Sequence, residues 1–237
     1  MITTLDQKHE SRSEKYKVAA TKEIAAKFKQ RGFVVDDYIE AKVRKPGRAG
    51  YQKHMVRLSN PNLTSTHKDI KLQLLVTNSH DGSTSFKIQL GFFRFVCSNG
   101  MIVGDTFESI SLRHSGSIHE EVDNAIDRIV AQAGALDAAL TRMKEKTLST
   151  AQIKAFTEEA FKLRDIANPA NIRPLRDEDE ANDLFTVYNR VQEALIQGGS
   201  YYQTNKGKTR KLRGVSNIGV LSKVNEGLFD IAMRLAA

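Results

Sequence analysis

The chain has 237 residues, of which 40% are hydrophobic and 27% are charged. This composition excludes a largely disordered chain, and the length fits one globular domain or two small ones. The formal net charge of +8 favours an anionic partner. A single cysteine excludes an internal disulfide, and the chain contains no apolar run long enough for a signal peptide or a membrane span. We therefore expect a soluble cytoplasmic protein that does not enter a membrane.

The N-terminal half predicts a helix followed by strands. Residues 14–31 place apolar side chains on one helical face and end at Gly32, as expected for a short amphipathic helix. From Phe33 to His114, apolar and polar residues alternate in five segments separated by turn residues, which predicts an antiparallel meander of about five strands. The apolar parity changes after Gly91, so we expect a β-bulge there.

The pattern becomes helical at Ser117. Apolar residues then recur at spacings of three and four as far as Met143, which predicts one long helix packed on the sheet. A shorter helix follows from Ser149, where Gln152 completes a capping box. The predicted fold class is therefore α+β, with an antiparallel sheet, a long helix and a helical C-terminal part.

Two prolines in the segment NPANIRPL mark the best candidate for a domain boundary. We predict an α+β core over residues 1–168 and a helical C-terminal subdomain over residues 169–237. In that subdomain, a helix over residues 177–197 is followed by a basic loop over residues 198–214 and by a final helix.

Positive charge is concentrated in two segments. Residues 42–57 cover two predicted strands and their turn without an acidic residue, and residues 206–213 lie in the predicted loop. Together their eleven cations exceed the net charge of +8, so the remainder of the chain is slightly acidic. Such charge beside tyrosines is expected of a groove that follows a phosphate backbone and stacks bases. The residues predicted to bind nucleic acid are Lys42, Arg44, Lys45, Arg48, Tyr51, Lys53, Arg57, Tyr201, Tyr202, Lys206, Lys208, Arg210, Lys211 and Arg213.

The same segments have a second interpretation, in which a solvated hairpin tip prevents strand aggregation and a flexible loop lies on the surface. The run Gly207-Lys208-Thr209 ends like a P-loop, but Tyr202 stands where that motif needs glycine. The spacing of histidines and carboxylates nominates no metal site. We therefore expect no cofactor, no metal and no catalytic residue.

Three polar residues in the C-terminal part are predicted to have a structural role. Asn189 and Glu193 share one helical face, and Asn189 lies near apolar neighbours. A buried amide needs a hydrogen-bond partner, and we expect Asn225 or the backbone of the loop to supply it.

The segment GFFRFVCSNGMIVG, residues 91–104, resembles the G-x-R-V-x-C-S-N strand-turn signature of a phage- and plasmid-borne family known only as a domain of unknown function. The chain departs from that pattern at Phe95. A second block, from Asn189 through the Gly198-Gly199 pair to Asn225, is similar to the same family. The resemblance covers the chain from about residue 70 to its end, and it implies a mobile-element protein without an established reaction.

The order of elements is also similar to the core of ring-forming single-strand annealing proteins. We therefore expect a phage or plasmid DNA-binding protein that holds single strands by their phosphates in annealing or recombination, and that forms a homo-oligomer. The alternative is an interaction protein that blocks a host defence or replication factor. An enzyme, built from polar groups of distant segments, is the third possibility.

Overall fold

The structure, a computed structural model, describes residues 2–43, 45–94, 100–102, 109–169, 172 and 179–237. The chain forms two compact units. The first consists of Met1–Val96 and Glu108–Ala133, and the second of Cys97–Phe107 and Gly134–Ala237. The predicted boundary at residue 168 separates two parts that we expect to fold independently. Compactness does not test independent folding, so this boundary stays a prediction.

The first unit confirms the predicted α+β class and the antiparallel meander. In chain order the elements are α1 (Thr21–Gln30), β1 (Val34–Glu40), β2 (His54–Thr64), β3 (Ile70–Asn78), β4 (Phe86–Arg94), then β5 (Gly100–Ile102) in the second unit, and β6 (Ile110–Leu112) and α2 (Ile118–Ala131) in the first. The strands of the first unit pair antiparallel in the order β1-β2-β3-β4-β6.

One face of this sheet carries the core of the unit. The predicted set on β3 and β4 is buried, as are the apolar residues of α1 and α2: Ile70, Leu72, Leu74, Val76, Phe86, Ile88, Leu90, Phe92, Ile24, Phe28, Val122, Ile126 and Ile129. Each such side chain contributes roughly 1.5 to 3 kcal/mol through its removal from water. At the rim, Lys27 of α1 and Arg31, which follows the end of α1, form ion pairs with Asp123 of α2, so the two helices are also joined at the surface.

The predicted bulge at Gly91 is wrong. The pairing of β3 with β4 continues without a register shift from Ile70 opposite Arg94 to Thr77 opposite Lys87. The strand β4 and its neighbour β3 are instead buried on both faces, since Gln89 of β4 and Gln73 and Leu75 of β3 are buried as well. A strand that is covered on both sides carries apolar residues at both parities, so the change of parity needs no bulge.

The first helix is shorter than predicted, because α1 begins at Thr21 and not near residue 14. The preceding segment makes tertiary hydrogen bonds instead. The backbone N–H of Lys17 donates to the carbonyl of His114 at 2.8 Å, and the Tyr16 hydroxyl donates to the carbonyl of Ser79 at 2.8 Å. The predicted end of the helix is confirmed by Gly32, whose φ of +83° suits a residue without a Cβ.

A buried polar cluster fixes the start of α1 on the sheet. Thr21 lies between two imidazoles, with its Oγ1 2.6 Å from Nε2 of His54 and 3.3 Å from Nε2 of His80. Asn78 donates from Nδ2 to Thr21 Oγ1 at 3.0 Å and to the carbonyl of Ala19 at 2.8 Å. All four side chains are buried, so their polar atoms depend on one another for hydrogen bonds.

The backbone determines the protonation of the two imidazoles. Nδ1 of His54 lies 2.9 Å from the carbonyl oxygen of Gln52, and Nδ1 of His80 contacts that of Leu5. Because a carbonyl only accepts, Nδ1 carries the proton in each ring and Nε2 remains an acceptor. Burial lowers the pKa of His54 to about 4, and it also lowers the pKa of His80. Both rings are therefore neutral near pH 7.

The second unit contains α3 (Ala133–Glu145), α4 (Thr150–Lys162), β7 (Asn168–Pro169), α5 (Leu184–Gln197), β8 (Tyr201–Gln203), β9 (Thr209–Lys211) and α6 (Ile218–Ala236). The capping box predicted at Ser149 and Gln152 is confirmed, and so is the final helix. In the part of the chain that the structure describes, no helix has the length and apolarity needed to cross a bilayer.

Two helix boundaries differ from the prediction. The predicted long helix is interrupted at Gln132, between the end of α2 and the start of α3. Gly134 lies two residues further on, and glycine costs about 1 kcal/mol in a helix relative to alanine. The helix predicted from residue 177 begins at Leu184 behind an N-cap at Asp183. The reason is tertiary, because Leu148 N–H donates to the carbonyl of Asn182 at 2.8 Å and keeps that segment extended.

The contact between α5 and α6 is bridged by amides. Asn189 donates to the carbonyl of Phe185 in its own helix at 2.7 Å, whereas Gln192 Nε2 donates to Asn225 Oδ1 at 2.6 Å. Asn225, which we expected to bind Asn189, thus accepts its hydrogen bond from Gln192, one helical turn further along α5. Asn189, Glu193 and Asn225 are all buried, which places them inside the unit.

The buried histidines generate a prediction on pH. The free energy of unfolding should fall as the pH is lowered from about 6.5 to 4, because the unfolded chain binds protons that the folded chain excludes until the pKa of His54, about 4, is reached. For His54 the loss is on the order of 3 kcal/mol. Urea unfolding at pH 7, 5.5 and 4 measures it. His54→Asn should flatten this dependence, whereas the partly exposed control His119→Asn should keep it; an unchanged slope in His54→Asn would contradict the assignment.

Candidate nucleic-acid interface

The second basic segment is a β-hairpin, which corrects the predicted loop over residues 198–214 and the purely helical character of the C-terminal part. β8 pairs antiparallel with β9, with Tyr201 opposite Lys211 and Tyr202 opposite Arg210. β7 adds a third strand, in which Pro169 lies opposite Tyr202. Tyrosine and threonine favour strands, and these strands are too short for alternation to show in the sequence. We call residues 200–213 the basic hairpin.

The turn of the basic hairpin is closed by backbone hydrogen bonds. Thr204 N–H donates to the carbonyl of Lys208 at 2.9 Å, and Gly207 N–H donates to the carbonyl of Thr204 at 2.8 Å. Gly207 has a φ of +72°, which a residue with a Cβ adopts at a cost. The sequence Gly207-Lys208-Thr209 is therefore part of a hairpin turn and strand, not of a phosphate-binding loop ahead of a helix.

The cations of the basic hairpin are exposed: Lys206, Lys208, Arg210, Lys211 and Arg213. Among the residues that the structure describes, no carboxylate lies within ion-pair distance of any of them. Tyr201 is 51% exposed. Because directly opposed residues share a face of a hairpin, one face carries Tyr201 beside Lys211 and the other carries Tyr202 beside Arg210.

A cleft of about 1130 Å³ lies at the base of the basic hairpin, where α4 and α5 end. Its lining residues are Arg164, Asp165, Ile166, Gln197, Gly198, Gly199, Tyr202, Arg210, Lys211, Leu212, Arg213 and Gly214. Four of these residues are cations and one is a carboxylate, so the charge of the cleft favours an anion.

Arg164 is a cleft residue that sequence reasoning missed. Its Nη1 donates to the carbonyl of Leu195 at 2.6 Å, near the end of α5, and to the carbonyl of Arg213 at 2.9 Å in the basic hairpin. Burial lowers the pKa of this guanidinium. In the sequence, Arg164 is one more arginine at the end of a helix, and no local signal separates it from a surface residue.

The first basic segment has a different geometry from the one predicted. β1 ends at Glu40 and β2 begins at His54, so residues 41–53 form a long connection that includes a 3₁₀ turn at Pro46–Arg48. We call residues 41–53 the basic connection. It belongs to the first unit and the basic hairpin to the second, so the two predicted contact surfaces lie in separate compact bodies.

Several cations of this segment already have partners. Arg48 lies 3.5 Å from Asp81, and Arg57, within β2, lies 3.2 Å from Asp37. Lys42 and Lys45 are exposed, and Lys53 is partly buried. Arg44 lies outside the described residues.

Tyr51 is occupied by the N-terminal segment of its own chain. Its hydroxyl accepts a hydrogen bond from Gln7 Nε2 at 3.1 Å, and the ring of His9 meets its ring edge-on at 5.1 Å. Tyr51 is therefore packed, whereas Tyr201 offers an open face. Of the two predicted surfaces, the basic hairpin is the one that combines an exposed tyrosine with cations that have no carboxylate partner among the described residues.

Over the ranges that the structure covers, no three His, Cys, Asp or Glu side chains are grouped in a way that could hold a metal ion. His114 is buried and stacks on Tyr16 with ring centroids 4.6 Å apart. Of the strand-turn signature, Phe95, Cys97 and Asn99 lie outside the described residues.

The base of the hairpin generates a prediction with an adjacent control. Gly198 has a φ of +79° and a ψ of −151°, and an added Cβ would lie 2.6 Å from the carbonyl oxygen of Leu212. We expect Gly198→Ala to cost roughly 3 kcal/mol or more in stability. Gly199 also has a positive φ, of +90°, but an added Cβ would meet nothing within 4 Å, so Gly199→Ala should cost about 1 to 2 kcal/mol. Denaturant unfolding compares them, and equal losses would contradict the close approach.

Comparison with known proteins identifies a family. The family described as "Domain of unknown function (DUF932)" matches residues 8–216. Two proteins of Escherichia coli (strain K12), UPF0380 protein YafZ and UPF0380 protein YfjQ, are each 30% identical to the chain over 236 residues, which cover 97% of this chain and 86% of the relative. No solved structure matches the chain. On the match over residues 8–216 and the similarity to both relatives, this protein belongs to the DUF932 family.

Proposed function

We propose that this protein binds single-stranded DNA through the phosphate backbone, with the basic hairpin as its principal contact. The observation that carries the proposal is the group of five exposed cations in one hairpin with no acidic partner among the described residues. Cations that are not neutralised within the protein remain available to phosphates, and each neutralised phosphate releases counterions from the strand.

The tyrosines favour a single strand over a duplex. Tyr201 is half exposed beside Lys211, and Tyr202 lines the cleft beside Arg210. An unpaired base can stack on such a ring while its phosphate contacts the neighbouring cation. In a duplex the bases are already stacked, so the rings would add little.

The basic connection supplies a secondary contact in this proposal. Lys42 and Lys45 are exposed and can neutralise phosphates, whereas Arg48 and Arg57 would first have to leave Asp81 and Asp37. Breaking partly buried ion pairs costs free energy, so we assign these two arginines a positioning role.

Annealing or recombination by a homo-oligomer of a phage or plasmid is the biological setting that we propose. The support is the resemblance of residues 91–104 to a mobile-element family, and the order of helix, antiparallel strands and helix that single-strand annealing proteins share. Size measurement with and without a single-stranded oligonucleotide tests assembly and ligand together. A monomer that ignores the oligonucleotide would remove this proposal.

A second candidate function is interaction with a host protein that acts in defence or replication. One observation favours it: β1 is an edge strand of the sheet, and its Val34 is 58% exposed, Val35 41% and Ile39 40%. Exposed apolar residues on a sheet edge suit a protein partner. Binding to a host protein without any binding to oligonucleotides would favour this candidate.

Removing charge from the basic hairpin should weaken binding and reduce its salt dependence. For the triple variant Lys206→Ala, Lys208→Ala, Arg210→Ala, we expect the slope of log K against log salt to fall by roughly 2, because each phosphate contact on a single strand contributes about 0.7. Fluorescence anisotropy with a labelled dT oligonucleotide at several salt concentrations measures it.

The control for that experiment removes the same charge elsewhere. Lys15, Lys29 and Lys68 are exposed lysines outside both basic segments, and their triple replacement by alanine should leave the slope within about 0.5 of the original, since no phosphate contact is lost. A slope that changes equally in both variants would mean that only net charge matters, and it would exclude a localised interface.

Replacing the exposed ring tests stacking separately from charge. Tyr201→Leu should weaken binding to the oligonucleotide by about 1 to 3 kcal/mol at constant salt slope, because a base loses its stacking partner while every phosphate contact stays. Tyr201→Phe should retain the affinity. Loss of affinity in both variants would assign the effect to the hydroxyl and contradict stacking.

A further inference from the structure

The cleft at the base of the basic hairpin has a feature that strand binding by surface cations does not require. A surface that neutralises phosphates needs only charge, whereas this cleft holds one arginine in a fixed position by two hydrogen bonds to backbone carbonyls. Fixed donors select the position of a ligand group, not only its charge.

The two hydrogen bonds of Arg164 use only one nitrogen. Both are donated by Nη1, which carries two protons. Among the residues that the structure describes, nothing accepts a hydrogen bond from Nε or Nη2 of this side chain. The Nε–Nη2 edge is one of the two-donor forks with which arginine binds two oxygens of a phosphate or carboxylate.

The surroundings of Arg164 favour a phosphate with an attached base. Arg210, Lys211 and Arg213 line the same cleft, against the single carboxylate of Asp165. Tyr202 also lines this cleft. A cleft of about 1130 Å³ is slightly larger than most small-molecule sites, so a nucleotide fits beside the ring.

We propose that this cleft binds one nucleoside phosphate, with the phosphate on the Nε–Nη2 edge of Arg164 and the base on the ring of Tyr202. The ligand is either one nucleotide of a bound strand or a free nucleotide, and the chemistry is the same in both. The inference rests on the proposed function for its ligand class, and it adds a defined position for one nucleotide to a surface that otherwise follows the backbone.

Calorimetric titration with AMP, adenosine and inorganic phosphate tests the two contacts separately. AMP should bind the protein at least tenfold more tightly than adenosine or phosphate does. Arg164→Lys keeps the charge but loses the fork, and it should reduce the affinity for AMP at least tenfold, toward that of adenosine. Tyr202→Leu should reduce the affinity for AMP toward that of phosphate. Arg142→Lys, at an exposed arginine of α3 that lies outside the cleft, is the matched control and should bind AMP as the original does.

Thermal unfolding accompanies these titrations, because Arg164 also holds the backbone at Leu195 and Arg213. If Arg164→Lys does not fold, Tyr202→Leu decides, since its side chain makes neither of those hydrogen bonds. If AMP binds, an equal affinity for adenosine would overturn the inference, because the phosphate would then contribute nothing.

A dT oligonucleotide distinguishes the two sources of the ligand. If AMP does not bind but Arg164→Lys weakens oligonucleotide binding at least tenfold and Arg142→Lys does not, the site takes a nucleotide of a strand. If neither ligand depends on Arg164, the inference is wrong, while binding through the basic hairpin can still stand. If AMP binding depends on Arg164 and no oligonucleotide binds, strand binding is wrong and the nucleotide site stands.

Discussion

The hydrogen bonds of Arg164 to the carbonyls of Leu195 and Arg213 join the basic hairpin to the end of α5, together with the backbone hydrogen bond from Val215 N–H to the carbonyl of Ile196. The last carbonyls of a helix have no partner within it, and a cation at that end also complements the helix dipole. One guanidinium thus caps α5 and ties it to the strand that returns from the hairpin. The close backbone approach of Gly198 to Leu212 allows these segments to lie near enough for both bonds.

Local patterns predicted the parts of the fold that local forces determine. The apolar sets of β3 and β4 and the spacing of three and four in α2 mark side chains that enter the core, and both were confirmed. At the starts of α1 and α5, where the prediction was wrong, a distant segment was the cause. Lys17 and Tyr16 donate hydrogen bonds to the carbonyls of His114 and Ser79, so the segment before Thr21 is not helical. The start of α5 is delayed because Leu148 N–H donates to the carbonyl of Asn182.

The candidate site was predictable only in part, for the same reason. The cations of the basic hairpin lie within eight consecutive residues of the sequence, so their charge was visible before the structure. Arg164 is separated in the sequence by 31 and 49 residues from the two carbonyls that it binds. No sequence pattern predicts a contact over such a separation. Likewise, Arg48 and Arg57 resemble free cations in the sequence, yet their ion pairs with Asp81 and Asp37 depend on the tertiary fold.

The unpaired charge of the basic hairpin also affects how a polyanion reaches the protein. Five cations lie within eight consecutive residues, while the rest of the chain carries only +3, so the field near the hairpin is strongly positive. At physiological ionic strength such a field extends about 8 Å into the solvent, and it raises the rate of encounter with a polyanion. Under the proposed function, a DNA strand that diffuses toward this surface is oriented before any ring or guanidinium touches it, and the hairpin is where we expect the first contact.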